Sequence, residues 1–392
     1  RSLCKNWRSS PVKKRAYRRT RIEEFSTEGV EAPDSGAPLV LAIDVAKRDM
    51  VAAFAMDREV LQTVQWKHPA QTPQLLAKLE QLRERGVEVE AVMEPSARYG
   101  DVLRHQLRGA GLKVFLASGK RVHDSRVVQD GVASLHDAKS AAIIAKLHFD
   151  KNTSVWRDET KDEREMSAGI STMDMFQTTY LRLMHQLESW MARFWPELTD
   201  IAELTSAMVM ALLARVGGPR DVAAVPEAAS ELMTGMSHRL MKPARIEAIL
   251  ESAKTTAGLA LLPEEKQALM TLASEAHRAL RAYKGAKAKV EKLAEGGPST
   301  AIAEVVGTTT AAVLYDEVGD PKRFSCAKAY VKAFGLNLKE KSSGKFKGRL
   351  RITRYGSSKA RKYLWLAVSR WRRKDPLAQA WYEAKVKRDG GG

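Results

Sequence analysis

Three carboxylates lie at positions from which a folded chain can direct them at one phosphodiester. Asp44 ends the apolar run in "LAIDVAK", Glu94 ends the run in "AVMEPSARY", and Asp137 opens "HDAKSAAIIA". If both runs are neighbouring strands of one sheet, Asp44 and Glu94 converge at one edge, and a helix that begins at Asp137 reaches over them. Converging carboxylates repel one another unless a cation neutralises them, and hard oxygen ligands suit Mg²⁺ or Mn²⁺. Such clusters activate water or a hydroxyl against phosphodiesters.

Each of these acids also has a plainer structural interpretation. An Asp at the end of a strand is a common turn former, and an Asp at the start of a helix caps its free backbone N–H groups. The spacing alone therefore leaves two interpretations open, a metal site and a set of structural carboxylates.

A serine in a basic turn is the second feature with chemical potential. Residues 339–362 read "KEKSSGKFKGRLRITRYGSSKARK", and Ser343 precedes a glycine inside this run of lysines and arginines. A serine in such a turn typically contacts a phosphate and is less often a nucleophile. No histidine lies nearby in the sequence to act as its base, so any activation has to come from elsewhere. Ser342, one residue earlier, is expected to shape the turn.

The distribution of charge indicates a polyanionic partner. The chain of 392 residues has a net charge of +18, with nine Lys/Arg and no acid from Arg1 to Arg21, and thirteen Lys/Arg from Lys341 to Lys374. A block of one sign repels itself unless an anion neutralises it; a solvated basic surface is the alternative. Aromatic residues interleave the second block, which favours nucleic acid. These aromatic residues are Phe346, Tyr355, Tyr363, Trp365 and Trp371. The predicted nucleic-acid-binding residues are Lys345, Lys347, Arg349, Arg351, Arg354, Lys359, Arg361 and Lys362.

Cysteine content and hydropathy argue against several other classes of protein. Cys4 and Cys326 are the only cysteines, too few for a disulfide framework or a zinc site. No stretch reaches the roughly 18 apolar residues of a membrane helix, and the basic N-terminus lacks the apolar core of a secretory signal. We therefore predict a cytoplasmic protein with no membrane partner.

The pattern of apolar residues divides the chain into an α/β part and an α part. Three short strands followed by alternating helices and strands predict a mixed sheet with helices. One long amphipathic helix, ended by Pro196, opens the helical part. Its apolar stripe consists of Met173, Phe176, Tyr180, Leu183, Leu187, Trp190 and Phe194. The predicted parts are a flexible basic arm (1–36), the α/β domain (37–153), a coiled-coil-like helical linker or oligomerisation region (154–296), a small helical domain (297–386) and a flexible tail (387–392).

The ordered set of motifs resembles one known family. "IDVAK", "MEPSARY" in place of the usual Glu-Ala-Thr-Gly-x-Tyr, and "HDAKSA" are similar to the RuvC-like DEDD domain of the insertion-sequence family 110 transposases, which include the Piv-type DNA invertases. The segment from "VVGTTTAAVLYDEVGDPKRF" to "SSGKFKGRLRITRYGSSKARKYLWLAV" resembles the second domain of that family, with its Asp-Pro-x-x-Phe and its Ser-Gly-x-x-x-x-Gly. The similarity runs in the family's order from about residue 39 to residue 385.

The resemblance implies a fold, a chemistry and partners. The first domain would be RuvC-like, that is RNase H-like, and would bind divalent metal through four acids. The second would supply a serine nucleophile that attaches covalently to DNA. Carried over by position, the acids fall on Asp44, Glu94 and Asp137, and the nucleophile falls on Ser343. A structured non-coding bridge RNA would pair with donor and target DNA. Because cutting and rejoining four strands needs more than one active site, a dimer or tetramer is expected.

Two positions depart from the pattern of the family. The fourth acid would follow Asp137 by three residues, where this chain has Ser140, a neutral and poor metal ligand, so metal affinity or catalytic rate is expected to fall. A one-register shift would instead put Asp137 in the fourth place and Ser134 in the third, but the first register aligns "AAIIAK" without a gap. The hairpin usually written Gly-x-Gly has Val305 at its first glycine and keeps only Gly307, which weakens backbone contacts to phosphate.

Together these features predict a DNA recombinase that works by transesterification. Ser343 would attack a DNA phosphate, leave a 5′-phosphoserine and a free 3′-hydroxyl, and be displaced by the hydroxyl of another strand. Two alternatives stay open. One is a catalytically weakened relative that only binds nucleic acid, which Ser140 favours. The other is a RuvC-like metal-dependent nuclease that uses only the acids and for which Ser343 is dispensable.

Overall fold

The computed structural model describes residues 19–28, 30, 36–95, 98–130, 136–236, 242–340, 342–343, 346–348 and 350–389. The chain forms two compact units, Arg1–Asp158 and Glu159–Gly392. The predicted boundary at residue 153 lies close to this division, whereas the predicted boundary at residue 296 lies inside the second unit.

The first unit alternates strands and helices. In chain order, its described residues contain β1 (Arg19–Arg21), a 3₁₀ helix (Ile22–Glu24), β2 (Leu39–Asp44), β3 (Asp49–Met56), β4 (Glu59–Lys67), α1 (Thr72–Glu84), β5 (Val89–Met93), α2 (Asp101–Gly109), β6 (Lys113–Ala117), α3 (Gly119–Asp130), α4 (Asp137–Phe149) and β7 (Thr153–Val155).

Within the described residues, seven strands form one mixed sheet in the order β1-β4-β3-β2-β5-β6-β7. β2, β3 and β4 pair antiparallel, and the turn between β3 and β4 contains Asp57 and Arg58 at φ values of 47° and 70°. Two consecutive residues with positive φ match the right-handed twist of a tight hairpin. β5 pairs in parallel with β2, and β6 with β5. The predicted mixed sheet, with its first and fourth predicted strands adjacent, is therefore confirmed.

Alternate side chains of β2 enter two different apolar layers. Leu39, Leu41 and Ile43 belong to the cluster that includes apolar residues of α1 and α2, whereas Val40 and Ala42 belong to the cluster that includes α4. A strand that is buried on both faces reads as a continuous apolar run, which is why "LVLAI" shows no alternation. The strand that carries Asp44 thus lies in the middle layer of a three-layered α/β unit.

Residues 19–28, which belong to the predicted flexible basic arm, include β1 and the first 3₁₀ helix. β1 pairs in parallel with β4 at the edge of the sheet. Ile22 and Phe25 are 0% and 1% exposed, and the ring of Phe25 stacks on that of Phe54 at 4.6 Å. Burial of these two apolar side chains contributes hydrophobic stabilisation that opposes the entropy lost on ordering the segment. Residues 1–18 of the predicted arm lie outside the described residues.

Two further elements of this unit have no counterpart in the predicted pattern. α3 has the sequence "GKRVHDSRVVQD", which lacks an apolar stripe at helical spacing. β7 has only three residues and pairs antiparallel with β6 at the other edge of the sheet. Short or polar elements such as these are stabilised by their tertiary neighbours rather than by their own sequence pattern.

The second unit is mainly helical. In chain order, its described residues contain α5 (Lys161–Phe194), α6 (Leu198–Ile201), α7 (Ala207–Arg215), α8 (Pro219–Ala224), α9 (Pro226–Met236), α10 (Pro243–Thr255), α11 (Pro263–Ala294), α12 (Thr300–Val306), α13 (Thr308–Val318), a 3₁₀ helix (Pro321–Arg323), α14 (Ala327–Ala333), β8 (Leu338–Lys339), β9 (Ser342–Ser343), β10 (Phe346–Lys347), β11 (Arg351–Ile352), α15 (Ser358–Lys374) and α16 (Pro376–Asp389).

The long helix α5 begins at a capping box and buries its apolar stripe within the chain. The Thr160 hydroxyl accepts a hydrogen bond from the N–H of Glu163, whose carboxylate accepts one from the N–H of Thr160. Tyr180 and Leu187 of the stripe lie in a core shared with α7, α10 and α11. The long predicted helix is therefore confirmed. Four residues of the stripe are buried within the unit, Met173, Tyr180, Leu187 and Phe194, whereas Phe176, Leu183 and Trp190 are partly buried.

The C-terminal part of this unit is helical as predicted, but it also contains two short antiparallel ladders, β8 with β11 and β9 with β10. Gly335 precedes β8 with φ 70°, and a Cβ at this position would lie 2.5 Å from the backbone N of Tyr355. Only glycine allows this conformation and this close approach of two chain segments. None of the helices in the described residues combines the length and the apolar composition needed to cross a membrane.

Candidate active site and nucleic-acid surface

Asp44 and Glu94 meet at the carboxyl ends of two neighbouring parallel strands. Ile43 pairs with Met93, so Asp44 ends β2 beside Glu94, the residue that follows β5. Neighbouring strands lie about 4.8 Å apart, and side chains at paired positions share a face of the sheet. The structure thus brings these two carboxylates together, as the strand pattern predicted.

Burial and mutual repulsion raise the pKa of Asp44 from 3.8 to about 6. Burial is the largest cause, followed by the charges of Glu94 and Asp137, while Arg126 and Arg19 act in the opposite direction. Burial also raises the pKa of Glu94, and Arg126 again opposes the effect. The charges of both other acids thus act on Asp44, which lies between them electrostatically.

Asp137 is the first residue of α4, but it does not cap the helix. The capping residue is His136, whose Nδ1 accepts a hydrogen bond from the N–H of Lys139 at 3.1 Å. The carboxylate of Asp137 instead forms an ion pair with Arg19, with 3.2 Å between Oδ2 and Nη1. The interpretation of Asp137 as a helix cap is therefore wrong, because a neighbouring side chain already fills that role.

Two residues of α3 complete the surroundings of the acids and were missed by the sequence analysis. Arg126 acts electrostatically on both Asp44 and Glu94, and its Nε is buried without a hydrogen-bond partner among the described residues. Gly119 opens α3 so close to Glu94 that an added Cβ would lie 3.0 Å from Oε2 of the carboxylate. Neither residue could be found from sequence, because α3 carries no apolar stripe that would predict a helix at this place.

The oxygen ligands that Asp44, Glu94 and Asp137 offer suit a hard divalent cation, but the three side chains are not arranged to hold one. The three acids offer oxygen ligands, which Mg²⁺ and Mn²⁺ prefer. Across the residues that the structure describes, however, no group of three or more His, Cys, Asp or Glu side chains is placed to hold a metal ion. Asp137 is engaged by Arg19. The predicted metal role of these acids therefore stays a proposal.

Ser140 occupies the place expected for a fourth acid. It follows Asp137 by three residues, which puts it on the same side of α4, and it is 6% exposed. A carboxylate at this position would have to be buried as a charge, which is costly without a cation or a hydrogen-bonding partner. Ser134, the alternative position in the shifted register, lies outside the described residues.

Ser343 lies in a short antiparallel ladder of the second unit. β9 contains Ser342 and Ser343, and the backbone of Ser343 pairs with that of Phe346 in β10. Residues 344 and 345, which connect the two strands, lie outside the described residues, as does the side chain of Ser343. The ladder gives the backbone of Ser343 a defined position inside the basic segment.

The predicted nucleic-acid-binding residues differ in what the structure shows of them. Lys345 and Arg349 lie outside the described residues, as does the side chain of Lys347. Arg351 in β11 and Arg354, which follows this strand, are exposed. Their charges therefore face solvent, where a phosphate backbone can reach them.

Three of the predicted residues instead have partners inside the unit. Nζ of Lys359 lies 2.7 Å from Oε1 of Glu317. Nη1 of Arg361 donates to two backbone carbonyl oxygens at 2.9 Å, and Nζ of Lys362 donates to side-chain acceptors of α5 at 2.9 and 3.2 Å. These contacts stabilise the fold around the start of α15, so the three residues are less available to a phosphate than their sequence context implied.

Exposed aromatic rings accompany the basic block. Trp365 and Trp371 of α15 are 67% and 55% exposed, and Tyr355 is 57% exposed. Tyr363 is only 5% exposed and belongs to an apolar core with residues of α5 and α11, so it is not available for stacking. The side chain of Phe346 lies outside the described residues. Proteins that bind single strands stack unpaired bases on exposed aromatic rings and hold the phosphates with neighbouring Lys and Arg side chains.

Comparison with known proteins assigns both units to one family. A model described as Transposase IS116/IS110/IS902 family matches residues 303–383, a range that includes Ser343. A model for DEDD transposases of the IS110 type matches residues 41–196, a range that includes the three acids. The two matches together span more than half of the chain, and no curated protein matches it. The chain therefore belongs to the IS110 family of transposases, enzymes that cut and rejoin DNA.

Proposed function

We propose that this transposase is a recombinase that works by transesterification, with Ser343 as the nucleophile and with Asp44, Glu94 and Asp137 as metal-binding acids. The observation that carries the proposal is that Asp44 and Glu94 lie side by side at the ends of two paired strands, with the charge of Asp137 acting on Asp44, in the part of the chain that matches DEDD transposases. Ser343 lies in the part that matches the second family model, within a basic segment.

In the proposed reaction, Oγ of Ser343 attacks the phosphorus of a DNA phosphodiester and gives up its proton. The bond from phosphorus to the 3′ oxygen breaks, which leaves a 5′-phosphoserine and a free 3′-hydroxyl. The 3′-hydroxyl of another strand then attacks the same phosphorus and releases the serine. Because each step exchanges one phosphate ester for another, the bond energy is conserved and no nucleoside triphosphate is consumed.

The side chains of this protein position the phosphate and balance its charge. Arg351 and Arg354, exposed on the segment that follows Ser343, would bind the backbone and stabilise the charge that develops on the attacked phosphate. Lys345, Lys347 and Arg349 of the same segment are proposed to contribute in the same way. A divalent cation held by the three acids would promote deprotonation of a hydroxyl and neutralise developing negative charge.

The proposal extends to partners. A structured non-coding RNA that pairs with donor and target DNA is supported by the family resemblance, and the exposed Trp365 and Trp371 offer rings to unpaired bases of either nucleic acid. A dimer or tetramer is supported by the chemistry, because one protomer has one Ser343 and recombination joins four strand ends. Most of the stripe of α5 packs within the chain, which leaves only its partly buried residues, such as Leu183 and Trp190, for contact with another protomer.

A covalent-trapping experiment tests the proposed nucleophile. The full chain, the non-coding RNA that flanks its gene and end-labelled target DNA would be incubated with Mg²⁺ and separated on a denaturing gel. Ser343→Ala would be compared with Ser342→Ala, which removes the same hydroxyl from the neighbouring residue of β9, and with Asp44→Asn.

We expect a labelled protein band with the unchanged chain and with Ser342→Ala, and no band with Ser343→Ala. Loss of the band in Asp44→Asn would support the role of the acids. A band that persists in Ser343→Ala would refute the serine as nucleophile. Cleavage without any adduct would identify a metal-dependent nuclease, and binding without cleavage would identify a catalytically weakened relative.

A further inference from the structure

An arginine from the N-terminal segment, Arg19, interacts with the proposed metal-binding acids. Nη1 of Arg19 is 3.2 Å from Oδ2 of Asp137, and the charge of Arg19 also acts on Asp44. Arg19 opens β1, a strand at the edge of the sheet. A positive charge therefore pairs with one of the three carboxylates that are proposed to bind a cation and acts electrostatically on a second.

The segment that delivers Arg19 is anchored independently of this ion pair. Three residues beyond Arg19, Ile22 is completely buried, and Phe25 stacks on Phe54 of β3. The side chain of Gln62 in β4 donates a hydrogen bond to the hydroxyl of Thr20 at 3.1 Å. These contacts keep β1 on the sheet, so Arg19 has a fixed backbone position from which its long side chain can reach or leave Asp137.

The balance of charge explains why the acids can lie together without a cation. Asp44, Glu94 and Asp137 carry three negative charges when ionised, and Arg19 and Arg126 supply two positive ones. Ser140 adds none where a fourth carboxylate would. Arg126 is partly buried on α3, whereas the side chains of Arg19 and Asp137 are 35% and 51% exposed. Of the two arginines, Arg19 is thus the one that can readily exchange its contact for solvent.

We propose that Arg19 is a built-in counter-ion of the acidic cluster, with which a divalent cation has to compete for Asp137. This inference rests on the proposed metal role of the acids. It also accounts for the absence, among the described residues, of a group of acids already arranged to hold a metal ion. Two like charges near the same carboxylates repel each other, so binding of the cation and of Arg19 would be mutually unfavourable.

Binding of Mn²⁺ to the full chain tests this inference without any measurement of catalysis. The signal of free Mn²⁺ in electron paramagnetic resonance gives its affinity at low ionic strength. Arg19→Gln removes the positive charge but keeps a polar side chain, so residue 19 can still pair in β1. Arg19→Lys keeps the positive charge. Arg58→Gln is the matched control, because it breaks the ion pair with Asp150 in the same unit at 2.8 Å. Asp44→Asn reports whether the ion binds at the acids.

We expect Arg19→Gln to bind Mn²⁺ about three- to tenfold more tightly than the unchanged chain, and the gain to shrink in about 1 M salt as the charges are screened. Arg19→Lys and Arg58→Gln should bind as the unchanged chain does, and Asp44→Asn should bind weakly. Equal affinities of Arg19→Gln and the unchanged chain, an equal gain in Arg58→Gln, or binding that Asp44→Asn does not reduce would each overturn the inference. So would a failure of Arg19→Gln to bind Mn²⁺. The serine mechanism would still be judged separately by the gel assay.

Discussion

Replacement of Asp44 by Asn should stabilise the first unit near neutral pH and leave its stability almost unchanged near pH 4. In the folded chain, burial and the charges of Glu94 and Asp137 raise the pKa of Asp44 to about 6. The folded state therefore holds this proton over a range in which the unfolded chain, with an ordinary carboxyl pKa, has already lost it. Stability contributed by the protonated form is present at low pH and is lost as the pH rises from about 4 to about 6.

The size of the effect follows from the same values. A rise in pKa from 3.8 to about 6 corresponds to about 3 kcal/mol, at about 1.4 kcal/mol for each pH unit. Because Asp44 is only partly buried, solvent screening reduces this figure, and we expect about 1–2 kcal/mol at pH 7. Asn keeps the shape of the side chain but has no charge to desolvate, so the variant does not lose this stability as the pH rises.

Hydrogen exchange of peptides from β2 and β5, measured by mass spectrometry in EDTA at several pH values, reports on this unit alone. The chemical exchange rate cancels when both proteins are compared at the same pH. Asp49→Asn, which neutralises an exposed carboxylate on β3, is the control and should show no gain. Two results would refute the electrostatic account of the cluster. One is equal protection of these peptides in Asp44→Asn and the unchanged chain at pH 7. The other is a difference in protection that stays the same from pH 4 to pH 8.

Two further predictions concern the fourth acid and the nucleic-acid surface. Ser140→Asp should destabilise the chain in EDTA by about 2–4 kcal/mol, because the new carboxylate would be buried, and Mn²⁺ should restore part of the loss; an unchanged melting temperature in EDTA would contradict this. Trp365→Ala should weaken the binding of single-stranded DNA about fivefold or more, because stacking of one base contributes about 1–3 kcal/mol. Met175→Ala, which removes a 55% exposed apolar side chain from α5, should leave binding unchanged in the same titration. Equal losses in the two variants would contradict a specific stacking role.

The elements that carry the acids could be predicted from the sequence because their signals are local. The apolar runs before Asp44 and Glu94 predict two strands, and Gly86 marks the end of the helix between them; this order is that of a sheet in which β2 and β5 are neighbours. The long helix α5 was predicted for the same reason, since its stripe recurs at helical spacing. Ser343 was singled out by the basic turn and by the family resemblance, and its role as nucleophile stays a prediction.

The sequence by itself determined the central strands of the sheet and the two acids at the carboxyl ends of β2 and β5. The reason is that strand order and apolar periodicity are properties of the chain. Only the tertiary structure decided which charges surround those carboxylates. Arg19 and Arg126 reach the acids from a segment that was predicted to be flexible and from a helix without an apolar stripe. Likewise, Tyr363 and Lys359 look available to nucleic acid in the sequence but are buried or paired in the fold. The physical reason is that burial and ion pairing depend on contacts between distant parts of the chain, which no local pattern records.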